Sequence, residues 1–326
     1  MTLRIITHTY LGNYPSDHSS DWTEGLQGVT HDSEHWIFAQ KEKLLKFHVT
    51  TDLKAKSSQA VAVATMPKEL SERECNHFGD PDYLEWEGQG YLFVPVEGGD
   101  GSCRETPFLA VFLNDDHLTY IGFTTFPSQK RSLGTGRAGW CAIDPLNKLL
   151  HSSSNEIDAS LPVFRYEIDF EALQNGNVVL IPQSNLILRE SSSTTDAVHI
   201  PKYLQGGAFS PDGWLYVSNG GECSDKDGGI RVFDTSGILK DRSSLTDTPF
   251  RYEFHSGWSK YEEPEGLTYW DIDELGRSFE APEIGGQLHA IVLDNDWLGT
   301  DEIYFKHYRV NKLGYALDAY PKVVAP

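Results

Sequence analysis

The chain is predicted to be an all-β protein, a β-propeller of five blades with four antiparallel strands in each. Three observations predict it. A glycine recurs in five similar segments, as Gly28, Gly79, Gly139, Gly207 and Gly266, at separations of 51, 60, 68 and 59 residues. Around each glycine lie two short β-rich runs with a turn between them, followed by a third run, and a repeat of this length holding about four strands is the mark of a propeller blade. The 29 glycines and 16 prolines among 326 residues fit many turns rather than long helices. A β-sandwich has the same strand content but leaves the repeated turn grammar unexplained.

The blades can be taken in order. The run Leu3–Tyr10 is a strand outside the five units, and it can close the ring beside the last blade, so that residues 1–326 form one propeller domain. Blade one is GLQGVTHDSEHWIFAQ (Gly25–Gln40) followed by KLLKFHV, with Val61–Thr65 as its outer strand. Blade two starts at His77–Gly98, continues with PFLAVFL, and ends on Tyr120–Thr124. Blade three is Arg137–Glu156 followed by VFRYEI, with Val178–Ile181 or Leu186–Leu188 outermost. Blade four, Tyr203–Asp234, is the clearest. Its Pro211-Asp212-Gly213 turn joins two strands, and a third lies at Ile230–Phe233. Arg251–Phe254 is its expected fourth strand. Blade five is Pro264–Phe279 followed by QLHAIVL, with Ile303–Val310 outermost. Six blades, the alternative, would require the termini to build the extra one.

Bulk properties exclude some functions. The formal net charge of −21 argues against a nucleic-acid partner, which needs clustered Lys and Arg, and against docking on anionic membranes. No run approaches the ~18 apolar residues that span a bilayer. The N-terminal run has no apolar core of signal-peptide length, so the expected location is cytoplasmic, or secreted if a signal was removed before the numbering starts. Of the four cysteines, none forms a CxxC pair, which disfavours zinc. Cys141 reads as a small buried hydrophobe. Cys75 and Cys103 both belong to blade two on its long-loop side, and spacing leaves open whether they pair.

Propeller geometry then narrows the site. Innermost strands line the axis, and the long connections of this chain all open on one face, where function usually sits. Residues entering the innermost strands should converge there. They are Gln27, His77 with Asp80, Arg137 with Trp140, Gln205 and Glu265. Two carboxylates, a histidine and an arginine in one mouth can do acid–base chemistry or hold a cation. The plain alternative is that polar residues ring the wet channel of any propeller. Trp258 joins Trp140 near the long-loop face as a ligand-binding candidate. Trp36, Trp214 and Tyr91 occupy equivalent second-strand positions and read as core, and His31 reads as structural. The Gly/Asp-rich loops around Asp100 and Asp225 lack the EF-hand pattern and read as simple connections.

The stretch QGGAFSPDGWLYVS (Gln205–Ser218) resembles a blade of the gluconolactonase-like propellers, a group with strictosidine synthase and paraoxonase relatives, and PEGLTYWD (Pro264–Asp271) is similar to another blade start in that group. The resemblance implies a divalent cation, commonly calcium, held at the channel, with Glu265 and Asp80 as metal ligands and Gln205 standing where an asparagine ligand is expected. That group usually has six blades. The SPDG turn occurs in many propellers, so the resemblance speaks to fold before activity.

The expectation is a single-site enzyme acting on a small polar molecule or carbohydrate in the axial pocket, a lactonase-like hydrolase or a lyase or isomerase. Glu265 or Asp80 would be metal ligand or general base, His77 the acid–base group and Arg137 an anion clamp; Gln27, Trp140, Gln205 and Trp258 would contact the ligand. The alternatives are a propeller lectin, which would need near-identical blades, and a protein-interaction scaffold.

Overall fold

In a computed structural model, residues 5–55, 59–98, 106–127, 138–155, 157, 162–200, 203–220, 228–244, 249–252, 262–273, 284–294 and 301–313 are described. They form five antiparallel sheets, one per blade. Strand β1 (Ile5–Asn13) is the first described strand. Blade one is β2 (Leu26–His31), β3 (His35–Gln40), β4 (Lys43–His48) and β5 (Ala62–Thr65). In blade two the innermost strand is split into β6 (His77–Phe78) and β7 (Asp82–Trp86), both pairing with β8 (Gln89–Glu97); β9 (Phe108–Leu113) and β10 (Tyr120–Thr125) follow. Blade three holds β11 (Cys141–Ile143), β12 (Leu149–Ser152), β13 (Phe164–Ile168) and β14 (Leu180–Pro182). Blade four holds β15 (Leu204–Phe209), β16 (Leu215–Asn219), β17 (Gly229–Phe233) and β18 (Leu239–Arg242). Blade five is β19 (Glu262–Tyr269), β20 (Leu288–Asp294), β21 (Glu302–Leu313) and, outermost, β1.

The ring therefore has five blades, and the first strand of the chain completes the last. Ile5 stands opposite Leu313 and Asn13 opposite Lys306 in the β1–β21 ladder. Three strand assignments change. In blade five, Leu288–Asp294 pairs directly with β19 and is second rather than third, while the run expected outermost lies within β21 and is third. The cause is a first connection far longer than the tight turns elsewhere. In blade four, Leu239–Arg242 takes the fourth place; of the run expected there, Arg251 forms an isolated bridge with Ser244, and residues 253–254 lie outside the described residues.

Five apolar clusters occupy the five junctions between neighbouring blades. Side chains alternate across each strand, so successive residues feed opposite junctions. Trp36 and Phe38 pack towards blade five, whereas Ile37 and Ala39 pack towards blade two. This explains why central strands such as Phe108–Leu113 are apolar without alternation: both faces are covered. Trp36, Tyr91 and Trp214 are buried in these clusters.

At the axis the innermost strands approach so closely that a side chain has no room. A Cβ on Gly28 would lie 2.4 Å from the Asp80 Cα, one on Gly79 would lie 2.4 Å from the Gly139 carbonyl oxygen, and one on Gly266 would lie 2.7 Å from the Gly28 Cα. The recurring glycine is thus an axial packing requirement.

Candidate active site

Strands β2, β15 and β19 share one irregularity. Each ladder skips a residue, Gln27 between Leu26 and Gly28, Gln205 between Leu204 and Gly206, and Glu265 between Pro264 and Gly266. A β-bulge re-aims the extra side chain. Here it gives three blades an equivalent polar residue beside the axis, and it makes Gly206, rather than Gly207, the counterpart of Gly28 and Gly266.

The three side chains meet. Gln205 Nε2 donates to Glu265 Oε2, and Gln27 Nε2 donates to Glu265 Oε1 at 3.4 Å. Glu263 forms a hydrogen bond with Glu265, so two carboxyls lie side by side. Glu265 is 1% exposed. Burial pushes its carboxyl well above the usual carboxylate range, and the Glu263 charge pushes the same way; Gln205 and the Lys41 charge oppose them. Burial and the neighbouring carboxyl thus favour the protonated form of Glu265, while amide donors stand in place for its ionised form.

These groups border a cavity of about 220 Å³ on the face where the innermost strands begin. His77, Lys41, Glu97, Asn155 and Tyr203 complete its polar wall. Glu97 ends β8 directly opposite His77 in the ladder and belongs to blade two, across the axis from Glu265 in blade five. His77 Nδ1 hydrogen-bonds Asn76 Oδ1 at 2.7 Å. Tyr203, with φ of 61°, holds the left-handed conformation at the entrance to β15. Such a conformation costs a bulky residue about 1–3 kcal/mol and persists only where the surroundings enforce it.

Asp80 has a different place. It follows its blade glycine instead of preceding it, and it is fully buried. Its Oδ1 accepts from the Val29 N–H at 2.9 Å, and its Oδ2 accepts from the Gly207 and Leu267 N–H groups at 3.0 Å each. These donors each sit one residue after the bulge glycine of blades one, four and five. The Asp80 backbone donates to the Gly139 carbonyl and accepts from the Cys141 N–H, which adds blade three. Burial pushes the Asp80 carboxyl well up, against the pull of the three donors. Asp80 is the hub where all five blades are tied, and it does not border the cavity.

The structure therefore brings His77, Gln27, Gln205 and Glu265 together and separates Asp80 from them. Trp140 is buried, with its indole N–H donating to Ser153 Oγ at 2.9 Å, so it packs in a blade junction and does not face a ligand. Arg137 and Trp258 lie outside the described residues. The cation implied for Asp80 and Glu265 has no fitting donor set: the Asp80 oxygens are engaged by backbone N–H groups, and among the described residues no three His, Cys, Asp or Glu side chains are grouped to hold a metal. Cys75 is disulfide-bonded, Cys103 lies outside the described residues, and Cys141 is a buried free thiol.

Sequence reasoning missed Glu263, Glu97, Lys41, Asn155 and Tyr203. Glu263 lies two residues before Glu265, and the bulge at Glu265 breaks the alternation between them, so spacing alone does not announce their contact. Lys41, Glu97 and Asn155 lie at or just beyond the ends of second strands, which open on the same face.

No family model matches the chain, and no curated protein matches it. Among solved structures it is similar to an exo-β-1,3-galactanase from Clostridium thermocellum, at 12% identity and a TM-score of 0.51, over 92% of this chain and 62% of that one. It is also similar to a thermostable family-43 glycoside hydrolase (15% identity, TM-score 0.46, covering 97% and 96% of the two chains) and to a GH43 endo-arabinanase from Bacillus licheniformis (12%, 0.45, 94% and 99%). At such identities the likeness concerns the fold, a five-bladed propeller.

Proposed function

We propose that the protein is a hydrolase that cleaves a glycosidic bond of a carbohydrate in the axial cavity. The observation that carries this reading is the Glu263–Glu265 carboxyl pair at the cavity wall, in which burial and its neighbour push the Glu265 carboxyl well above the usual carboxylate range. Glycoside hydrolysis needs a carboxylic acid to protonate the departing oxygen and a second carboxylate on the other side of the sugar. Glu265 is the acid, and Glu97 across the axis is the second carboxylate. In the reaction, the bond from the anomeric carbon to the bridging oxygen breaks, and that oxygen takes the Glu265 proton. A water held by Glu97 adds to the anomeric carbon and gives its proton to Glu97. The Gln205 and Gln27 amides then stabilise the ionised Glu265.

The similarity in fold to an exo-β-1,3-galactanase supports the same reaction class and makes galactans the first substrates to try. Lactone hydrolysis would draw on the same carboxyls, but no observation favours it. The Cys75 disulfide favours the secreted alternative, since disulfides persist in oxidising compartments.

The test is reducing-end release from β-1,3-galacto-oligosaccharides and a wider polysaccharide panel, by the intact protein and by Glu265→Gln. Release that the substitution abolishes supports the reading. Saturable binding without turnover would make the protein a lectin, and neither binding nor turnover across the panel would sink the proposal.

A further inference from the structure

The axis has a second opening. Asp80 and the glycines around it fill the middle of the ring, and beyond them, where the innermost strands end, lies another cavity of about 200 Å³. Its wall includes His31 at the end of β2, Tyr83 on β7, Phe209 at the end of β15 and Tyr269 at the end of β19. Four blades thus each bring an aromatic residue to the wall of one small space. Thr268 adds a hydroxyl and Asp82 a carboxylate.

Both nitrogens of the His31 ring are turned to main-chain carbonyl oxygens, of which a neutral ring can donate to one, and burial lowers its pKa. Its Nδ1 lies 2.9 Å from the Asp32 carbonyl oxygen and its Nε2 lies 3.0 Å from that of Tyr269, while one ring face stacks on Trp270 at 4.6 Å between centroids. What it presents is aromatic surface. Asp82 takes N–H bonds from Tyr83 at 2.8 Å and Ile143 at 2.6 Å, and the Thr30 hydroxyl at 3.4 Å. These donors orient the carboxylate without neutralising it, and among the described residues it has no cationic partner. Burial accordingly pushes it up to about 7.

Aromatic side chains around a carboxyl that has no cationic partner and is charged above about pH 7 are complementary to an organic cation, which is drawn to ring faces and to the negative charge at once. The same cavity disfavours anions, and the net charge of −21 adds to that bias. We infer that this second axial cavity binds a small alkylated ammonium ion, through Asp82 and the rings of His31, Tyr83, Phe209 and Tyr269. The inference does not depend on the hydrolase reading, since it uses none of the groups of the first cavity.

The test is titration of the intact protein with choline and with its uncharged carbon isostere, 3,3-dimethylbutan-1-ol, followed by calorimetry or by NMR. Choline is expected to bind saturably at millimolar or lower concentration, and the isostere about tenfold more weakly. Asp82→Asn is expected to weaken choline binding about tenfold, and Tyr269→Leu, which keeps apolar bulk while removing the ring, several-fold. Absence of saturable choline binding overturns the proposal, as does equal affinity for the isostere. Unchanged choline binding in a folded Asp82→Asn protein does the same. Should that variant fail to fold, the isostere comparison and Tyr269→Leu decide.

Discussion

Asp80 and Glu265 are both carboxyls buried beside the propeller axis, and they have opposite employments. Asp80 receives three backbone N–H groups from three blades, all short and fixed. Glu265 receives two side-chain amides and a second carboxyl, all at the edge of a cavity. The difference teaches that burial alone does not make a carboxyl chemical. Donors on the main chain turn it into a structural tie, whereas adjustable side-chain donors beside a space leave it able to give up a proton.

The comparison is broken most directly at Asp80. Asp80→Ala leaves three backbone N–H groups of the ring centre without an acceptor, and a loss of about 3–5 kcal/mol in urea unfolding is expected. A loss below about 1 kcal/mol would show that the blades are held by their junctions alone. At Glu265 the pattern should invert. Glu265→Gln is expected to lower carbohydrate turnover about 10²–10⁴-fold, with a melting temperature close to the parent. A large stability loss with turnover retained would place Glu265 with Asp80.

Acid separates the axis from the periphery. His151 and His307 are buried neutral, and burial lowers each to about 4. A histidine lowered in the folded state contributes stability that is complete above its unfolded value of about 6.5 and is lost as pH falls towards 4. Unfolding free energy should therefore decline over that window, by up to about 3 kcal/mol per residue. A flat profile from pH 7 to 4 would contradict their burial. The smallest effect concerns Gln205→Ala. This substitution removes a donor that opposes the rise of Glu265, so the alkaline limb of the pH–rate profile should move upward, with turnover reduced about tenfold. An unmoved limb would detach Gln205 from the acid.

Much of the fold was legible in the sequence because the axis imposes glycine and the turns impose Pro, Asp and Gly. The outer strands were less so. Leu239–Arg242 carries no periodic signal, and the first connection of blade five, residues 270–287, is far longer than the others, so a count by turns shifts that blade by one strand. At the site, the relevant distinction lay in plain view. Gln27, Gln205 and Glu265 directly precede a glycine, whereas Asp80 follows one, and the side of the glycine decides whether a residue enters the cavity or the ring centre. A bulge carries no composition of its own, so only the ladder register exposes that rule. Glu97 and Lys41 come from second strands, and their convergence with Glu265 depends on how far each blade leans towards the axis, which spacing does not encode.

The outermost strand of the last blade is made before every other strand of the ring. Residues 5–13 must stay unpaired until residues 302–313 have left the ribosome. At 5–20 residues per second, that is a wait of roughly 15–60 s. Blades one to four can assemble behind it, each on the one before, while the apolar side of the growing arc stays open. Closure is then a single late event that joins the first strand of the ring to the last. A nascent chain stalled before residue 302 would carry an unpartnered edge at both ends, and it is there that a chaperone or a second copy of the chain would find its opening.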